Sequence, residues 1–126
     1  MASVQELLAT ANAIVPKLEP NELREMMARS EVVLLDVRDA PEVAQSGKIR
    51  GAVHISRGML EFRADPATSY HNALLQKEKT IVLYCASGGR SALAGKTLRD
   101  LGYTSVYNAG GFKSLVDAGL ATDPEL

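Results

Sequence analysis

The sequence is short of cysteine, of charge of one sign, of histidine and of long apolar runs, and each shortage excludes a class of function. One cysteine among 126 residues, Cys85, excludes an internal disulfide, a CxxC redox pair and a multi-cysteine zinc site. Fourteen basic against fifteen acidic side chains leave a net charge of −1, so no global basic field recruits nucleic acid or an anionic membrane. The longest apolar stretches are about five residues, far below the roughly twenty that span a bilayer. Two histidines, distant from each other and without a helical i, i+4 partner, give no metal site. No Lys or Arg precedes Lys17, unlike a cationic signal peptide, and a free thiol suits a reducing compartment; together these predict a cytoplasmic protein. What is present is ordinary globular composition, 46% hydrophobic and 23% charged, in a chain long enough for one domain and too short for two.

Ser3 and Glu6 have capping-box spacing, and Val4, Leu7, Leu8, Ala11, Ile14 and Val15 follow at helical intervals until Pro16. Pro20 opens a second helix with Leu23, Met26 and Met27 on its inner face. Val32 to Leu35 and Ile81 to Tyr84 are unbroken apolar runs, the pattern of strands covered on both faces. Shorter strands are expected over 53–55 and 105–107, and helices over 41–45, 58–63, 91–101 and 112–118, the last two stopped by Gly102 and Gly119. Strands alternating with helices predict an α/β three-layer sandwich, a mostly parallel central sheet of about five strands with helices on both faces. Residues 1–15 read as an extra helix, 16–121 as the domain and 122–126 as a frayed tail, with an irregular surface insertion over 57–79.

Chemistry concentrates in Tyr84-Cys85-Ala86-Ser87-Gly88-Gly89-Arg90-Ser91, where a buried strand ends, a small-residue loop follows and a helix begins. Ligands of open α/β sheets bind at the carboxyl ends of strands. Gly88 and Gly89 allow successive backbone N–H groups to point inward as an anion-binding nest, and the helix N-terminus adds unpaired donors. With the cation of Arg90, these favour a thiolate at Cys85 and make it a nucleophile at neutral pH. An inert buried cysteine needs no such cradle. Four residues separate Cys85 from Arg90, one fewer than in a tyrosine-phosphatase loop, so the ring suits one added sulfur better than a phosphoryl group. Asp36 and Arg38, after the first strand and on the same sheet edge, read as a buried ion pair that supports the loops. Arg57 and Arg63 read as a solvated helix face, His54 as a packed residue, and Ser87 and Ser91 as a loop donor and a helix-start residue.

Four landmarks, in order and spacing, resemble the single-domain rhodaneses, the sulfurtransferase family. They are Leu34-Leu35-Asp36-Val37-Arg38, the Gly47 to Ile55 segment, the Cys85 to Arg90 loop, and Asn108-Ala109-Gly110-Gly111-Phe112. Lys48, Arg50 and Leu115 depart from the family's usual His, Pro and Trp. The resemblance implies transfer of sulfane sulfur from thiosulfate or a persulfide donor, through a Cys85 persulfide, to cyanide or a thiol. Ala86, Ser87, Gly88, Gly89 and Arg90 would form the anion-binding loop, with Arg90 either binding the donor or bracing the loop. It implies no metal and no organic cofactor; the partners are a small sulfur-containing anion and an external thiol or protein acceptor, with neither nucleic acid nor membrane. Two rival expectations are a persulfide carrier for one partner and an arsenate or phosphate-ester enzyme.

Overall fold

The computed structural model describes residues 3–124. In chain order the elements are α1 (Val4–Ile14), α2 (Pro20–Ala28), β1 (Val33–Asp36), α3 (Ala40–Ser46), β2 (Lys48–Ile49), β3 (Val53–His54), a 3-10 turn at Arg57–Met59 running into α4 (Leu60–Ala64), β4 (Thr80–Cys85), α5 (Gly89–Asp100), β5 (Ser105–Gly111), α6 (Phe112–Asp117) and β6 (Thr122–Asp123). The helix starts follow local capping chemistry. Ser3 accepts the Glu6 N–H at 3.1 Å, and Pro20 stands where a helix needs no N–H. Glu22 and Glu42 reach back to the N–H groups of Glu19 and Asp39.

Four strands, in the order β3-β1-β4-β5 and all parallel, form the central sheet. The two-residue periodicity of the strands sorts their side chains onto two cores. Leu35, Ile81, Leu83, Cys85 and Val106 pack with Val15, Leu60, Ala94 and Leu98 on the side of α1, α4 and α5. Leu34, Val82 and Tyr84 pack with Leu23, Ile49, Leu115 and Leu120 on the side of α2 and α6. The unbroken apolar runs are thus explained, because every position faces one helical layer or the other.

Three expectations are corrected. The central sheet has four strands, not about five; β2 and β6 pair separately and antiparallel. The expected frayed tail is a strand over Thr122–Asp123, opposite Ile49 and Lys48, and Arg50 holds Asp123 at 2.9 Å. Two residues are too few to show alternation, and their partner lies far back in the chain; Glu125 and Leu126 fall outside the described residues. The segment over 57–79 is also more than a surface insertion. Leu60, Ala64 and Leu75 lie in the core, and Tyr103 Oη donates to the Ala64 carbonyl at 2.8 Å. The first helix likewise contributes Ala11, and Val15 that caps its end, to the buried interior. It can lie this close to α5 because position 95 is glycine, where a Cβ would stand 2.9 Å from Val15 Cγ1.

Candidate active site

β4 delivers Cys85 to the carboxyl edge of the sheet, on the α5 face and 1% exposed. The chain then turns through Ala86 and Ser87 to Gly88, which at φ 99° is the N-cap of α5. That left-handed geometry is open to glycine at no steric cost, and the Gly88 N–H donates to Cys85 Sγ at 3.0 Å. Ser91 Oγ, one turn into α5, stands 3.5 Å from the same sulfur. Burial pushes the thiol pKa up. The Ser91 hydroxyl and the backbone N–H groups of Ser91, Ser87 and Gly88 more than offset that, and the net direction is below the ordinary thiol value. The sulfur is therefore an acceptor inside a cradle of donors.

The wall of this cradle is backbone. A Cβ at Gly111 would lie 2.6 Å from the Ala86 carbonyl oxygen, and one at Gly88 would lie 3.3 Å from Gly110 Cα. The Gly110-Gly111 pair at the end of β5 is thus a close-packing surface for the cysteine loop. Asn108 completes it: Nδ2 donates to the Gly88 carbonyl at 3.0 Å, and Oδ1 accepts from Ser91 Oγ at 2.7 Å.

Arg90 does not point at the sulfur. Its guanidinium makes two charge-assisted bonds to Glu42 of α3, at 2.6 and 2.9 Å, with Asp39 3.9 Å away. Chiefly through this pair, the Glu42 carboxyl falls to about 2 and the Arg90 guanidinium is raised. Glu42 thus offsets positive charge near the loop; hydrogen bonds lead in lowering the thiol pKa, while the Cys85 charge still adds to the rise at Arg90.

Asp36 and Arg38 form the buried pair expected of them, 0% and 3% exposed. Asp36 accepts from Arg38 Nε and Nη2, at 3.0 and 2.7 Å, and from Tyr84 Oη at 2.7 Å. Burial first, and then Asp36, raise the Tyr84 phenol, so it stays a donor there. Arg38 also reaches the Gly47 carbonyl, Ser46 Oγ and the Phe112 ring, 4.2 Å from Cζ to the ring centre. Arg57 is tied to Glu61 and Thr97, Arg63 is exposed, and neither lines the cleft beside the cysteine loop. His54 Nε2 meets the Arg38 carbonyl at 2.7 Å, as a packed residue should.

A cleft of about 280 Å³ opens beside Ala86, between Glu42, Gln45 and Ser46 of α3 and Phe112 and Lys113 of α6. Two larger clefts include no residue of the cysteine loop. Among the described residues no three His, Cys, Asp or Glu side chains gather as a metal site, and no helix is long and apolar enough to cross a membrane.

Sequence reasoning missed Glu42 as the partner of Arg90 and Asn108 as the partner of Ser91. Glu42 carried a signal, the Asp39-x-x-Glu42 capping spacing, which places a carboxylate at the start of a helix. Asn108 carried only its place in the Asn108 to Phe112 landmark, which gave no hint of its contact with Ser91.

Fold and site together define a class: a parallel α/β sandwich with a cysteine loop at the carboxyl edge of its sheet. Within that class the chain belongs to the Rhodanese-like domain family, whose model matches residues 19–118. It is 37% identical over 81 residues to the thiosulfate sulfurtransferase PspE of Escherichia coli, covering 64% of this chain and 71% of that protein. Its structure is similar to a Rhodopseudomonas palustris protein of unknown function described as a possible tyrosine phosphatase, with TM-score 0.89, 36% identity and coverage of 98% and 96%. The human single-domain sulfurtransferase TSTD1 superposes with TM-score 0.70 at 30% identity, covering 82% and 96%.

Proposed function

We propose that this protein is a sulfurtransferase that carries sulfane sulfur as a Cys85 persulfide. The observation that carries the reading is the position of Cys85 Sγ as acceptor of the Gly88 N–H at 3.0 Å, within a loop whose donors lower its pKa. In the first step the thiolate attacks the outer sulfur of thiosulfate or a persulfide donor. With thiosulfate the S–S bond breaks, its electron pair leaves with sulfite, and the new Cys85 S–S bond ends in a negatively charged sulfur. In the second step cyanide or a thiolate attacks that terminal sulfur, and the pair returns to Cys85 as thiolate. The N–H groups of the loop are suited to hold the terminal charge. The chain has no second cysteine to resolve the persulfide, so the acceptor comes from outside it, as a small thiol or a partner protein. A free thiol in this role suits a reducing compartment such as the cytoplasm.

Incubation with thiosulfate followed by intact-mass measurement tests the first step. The expected result is a gain of about 32 Da, one sulfur atom on the nucleophile, which cyanide then removes. No gain from thiosulfate or from polysulfide would exclude the reading. A gain discharged to cyanide no faster than by free thiol chemistry would point to a persulfide carrier serving one partner.

A second reading, phosphate-ester or arsenate chemistry, draws on the description of the Rhodopseudomonas neighbour. The Arg90–Glu42 pair weighs against it, because the arginine that would hold a tetrahedral anion is engaged elsewhere. Cys85-dependent hydrolysis of an aryl phosphate would favour it.

A further inference from the structure

Asn108 lies beside a bulge in β5. Opposite Leu83 the pairing partner is Asn108, opposite Tyr84 it is Gly110, and Ala109 is the extra residue between them. A bulge of this kind re-aims neighbouring side chains, and both backbone groups of Asn108 are fixed, by the Pro16 carbonyl and the Leu18 N–H, each at 2.9 Å. The side chain reaches the loop on the α5 side of the sheet and is 4% exposed.

Its amide can face only one way. Oδ1 accepts the Gly110 N–H at 2.9 Å and Nδ2 donates to the Gly88 carbonyl at 3.0 Å, two backbone groups that cannot exchange roles. Ser91 Oγ, 2.7 Å from Oδ1, must therefore donate to it. Yet a hydroxyl has one proton, and the same oxygen stands 3.5 Å from Cys85 Sγ. The Gly88 carbonyl, 3.2 Å away, is a third acceptor but already takes the Asn108 Nδ2 proton, so the amide oxygen and the sulfur are the two between which the hydroxyl proton is shared.

We propose that Asn108 is a positioning residue that holds the Ser91 hydroxyl against Cys85 and takes its hydrogen bond whenever the sulfur bears no charge. When Sγ is a thiolate the charged atom is the stronger acceptor, and the hydroxyl turns to it. Asn108 Oδ1 then keeps the Gly110 N–H, so no buried acceptor is left bare. No proton is transferred in this exchange: the thiol proton leaves for solvent, and the hydroxyl keeps its own. On the sulfurtransferase reading the charge moves to the outer sulfur as the persulfide forms, and the hydroxyl returns to Asn108; this step rests on that reading, the exchange itself on geometry. Charged side chains around the loop come in pairs, Arg90 with Glu42 and Asp39, and Arg38 with Asp36; Arg90 and Cys85 also couple through charge, a background present in every variant of the cycle.

The test is a double-mutant cycle read by the ultraviolet absorbance of the Cys85 thiolate against pH. Asn108→Ala removes the competing acceptor, and the thiolate population below the midpoint rises about threefold to tenfold, in the lower part of the range of couplings between neighbouring hydrogen-bonded groups. Ser91→Ala removes the donor and moves the titration the other way. In the Ser91→Ala background, Asn108→Ala has no donor to release and leaves the titration where it was. Equal displacement in both backgrounds, or a fall in thiolate with Ser91 intact, overturns the proposal and leaves Asn108 as a brace. Should Asn108→Ala not fold, the side-chain carbonyl carbon resonance of Asn108 is followed in the otherwise unchanged protein. It is expected to titrate with Cys85 and to lose that step in Ser91→Ala; a step unaffected by Ser91→Ala counts against the exchange. These readouts need no sulfur donor. Coupling without persulfide formation would sink the sulfurtransferase reading alone.

Discussion

At the residue scale, one sulfur depends on a few donors. Cys85 sits in the core with a partner at 3.0 Å, so replacement by serine nearly preserves shape and leaves a hydrogen-bonded hydroxyl. Cys85→Ser should therefore fold, at a cost of about 1–2 kcal/mol, and form no persulfide adduct; an adduct in that variant would place the nucleophile elsewhere. Because the folded thiol is held below its ordinary pKa, the native state binds fewer protons than the unfolded chain between the two values. The resulting stability is complete above the unfolded thiol's pKa and is lost as pH falls through the folded one. Its kinetic counterpart is a thiolate titration at lower pH in native than in urea-unfolded protein, and coincident curves would count against the cradle. Cys85 was legible in the sequence because a lone thiol preceded two glycines and a helix start. Asn108 was legible only as part of a landmark; its contact with Ser91 was not, since that depends on a bulge that no periodicity announces.

At the scale of elements, the loop is held from two sides. The end of β5 presses on it through Gly110 and Gly111, and α3 holds it through Glu42. Gly111→Ala would put a methyl 2.6 Å from the Ala86 carbonyl oxygen, and backbone cannot rotate away as a side chain can. We expect a loss of about 1–3 kcal/mol and a loop displaced enough to raise the Cys85 titration midpoint. An unchanged midpoint would mean that the loop does not feel that contact. The Arg90–Glu42 pair is weaker, because each side chain is 35% exposed and solvent screens it. Glu42→Gln should cost about 1 kcal/mol at neutral pH. Glu42 has a folded pKa of about 2 against 4.5, so this contribution is complete above 4.5 and is lost as pH falls toward about 2. Denaturant titrations of the two proteins should accordingly converge in strong acid. A helix over 41–45 was legible, while its contact with α5 followed only from how the helices pack on the sheet.

At the scale of the whole molecule, Asp36 and Arg38 are architectural. Their network joins β1 and β4 through Tyr84, β2 through the Ile49 N–H on Tyr84 Oη, and α6 through the Phe112 ring. Asp36→Ala would leave the Arg38 guanidinium buried without its carboxylate, which costs about 3–5 kcal/mol and should appear as a large drop in Tm. A drop within the scatter of surface substitutions would show that solvent reaches Arg38. The order of amino acids is enough to specify the alternation of strands and helices, the parallel sheet, the cysteine loop at a strand end and the family resemblance. Those are local signals: apolar runs, caps, glycine turns and the spacing of a short motif. Tertiary structure alone decided that Arg90 turns to Glu42, that Thr122 and Asp123 pair with Ile49 and Lys48, and that Asn108 meets Ser91 beside the sulfur. Each of those contacts joins residues far apart in the chain. Local propensity does not encode such pairings, because they form only when sheet register and helix packing bring the partners within hydrogen-bond reach.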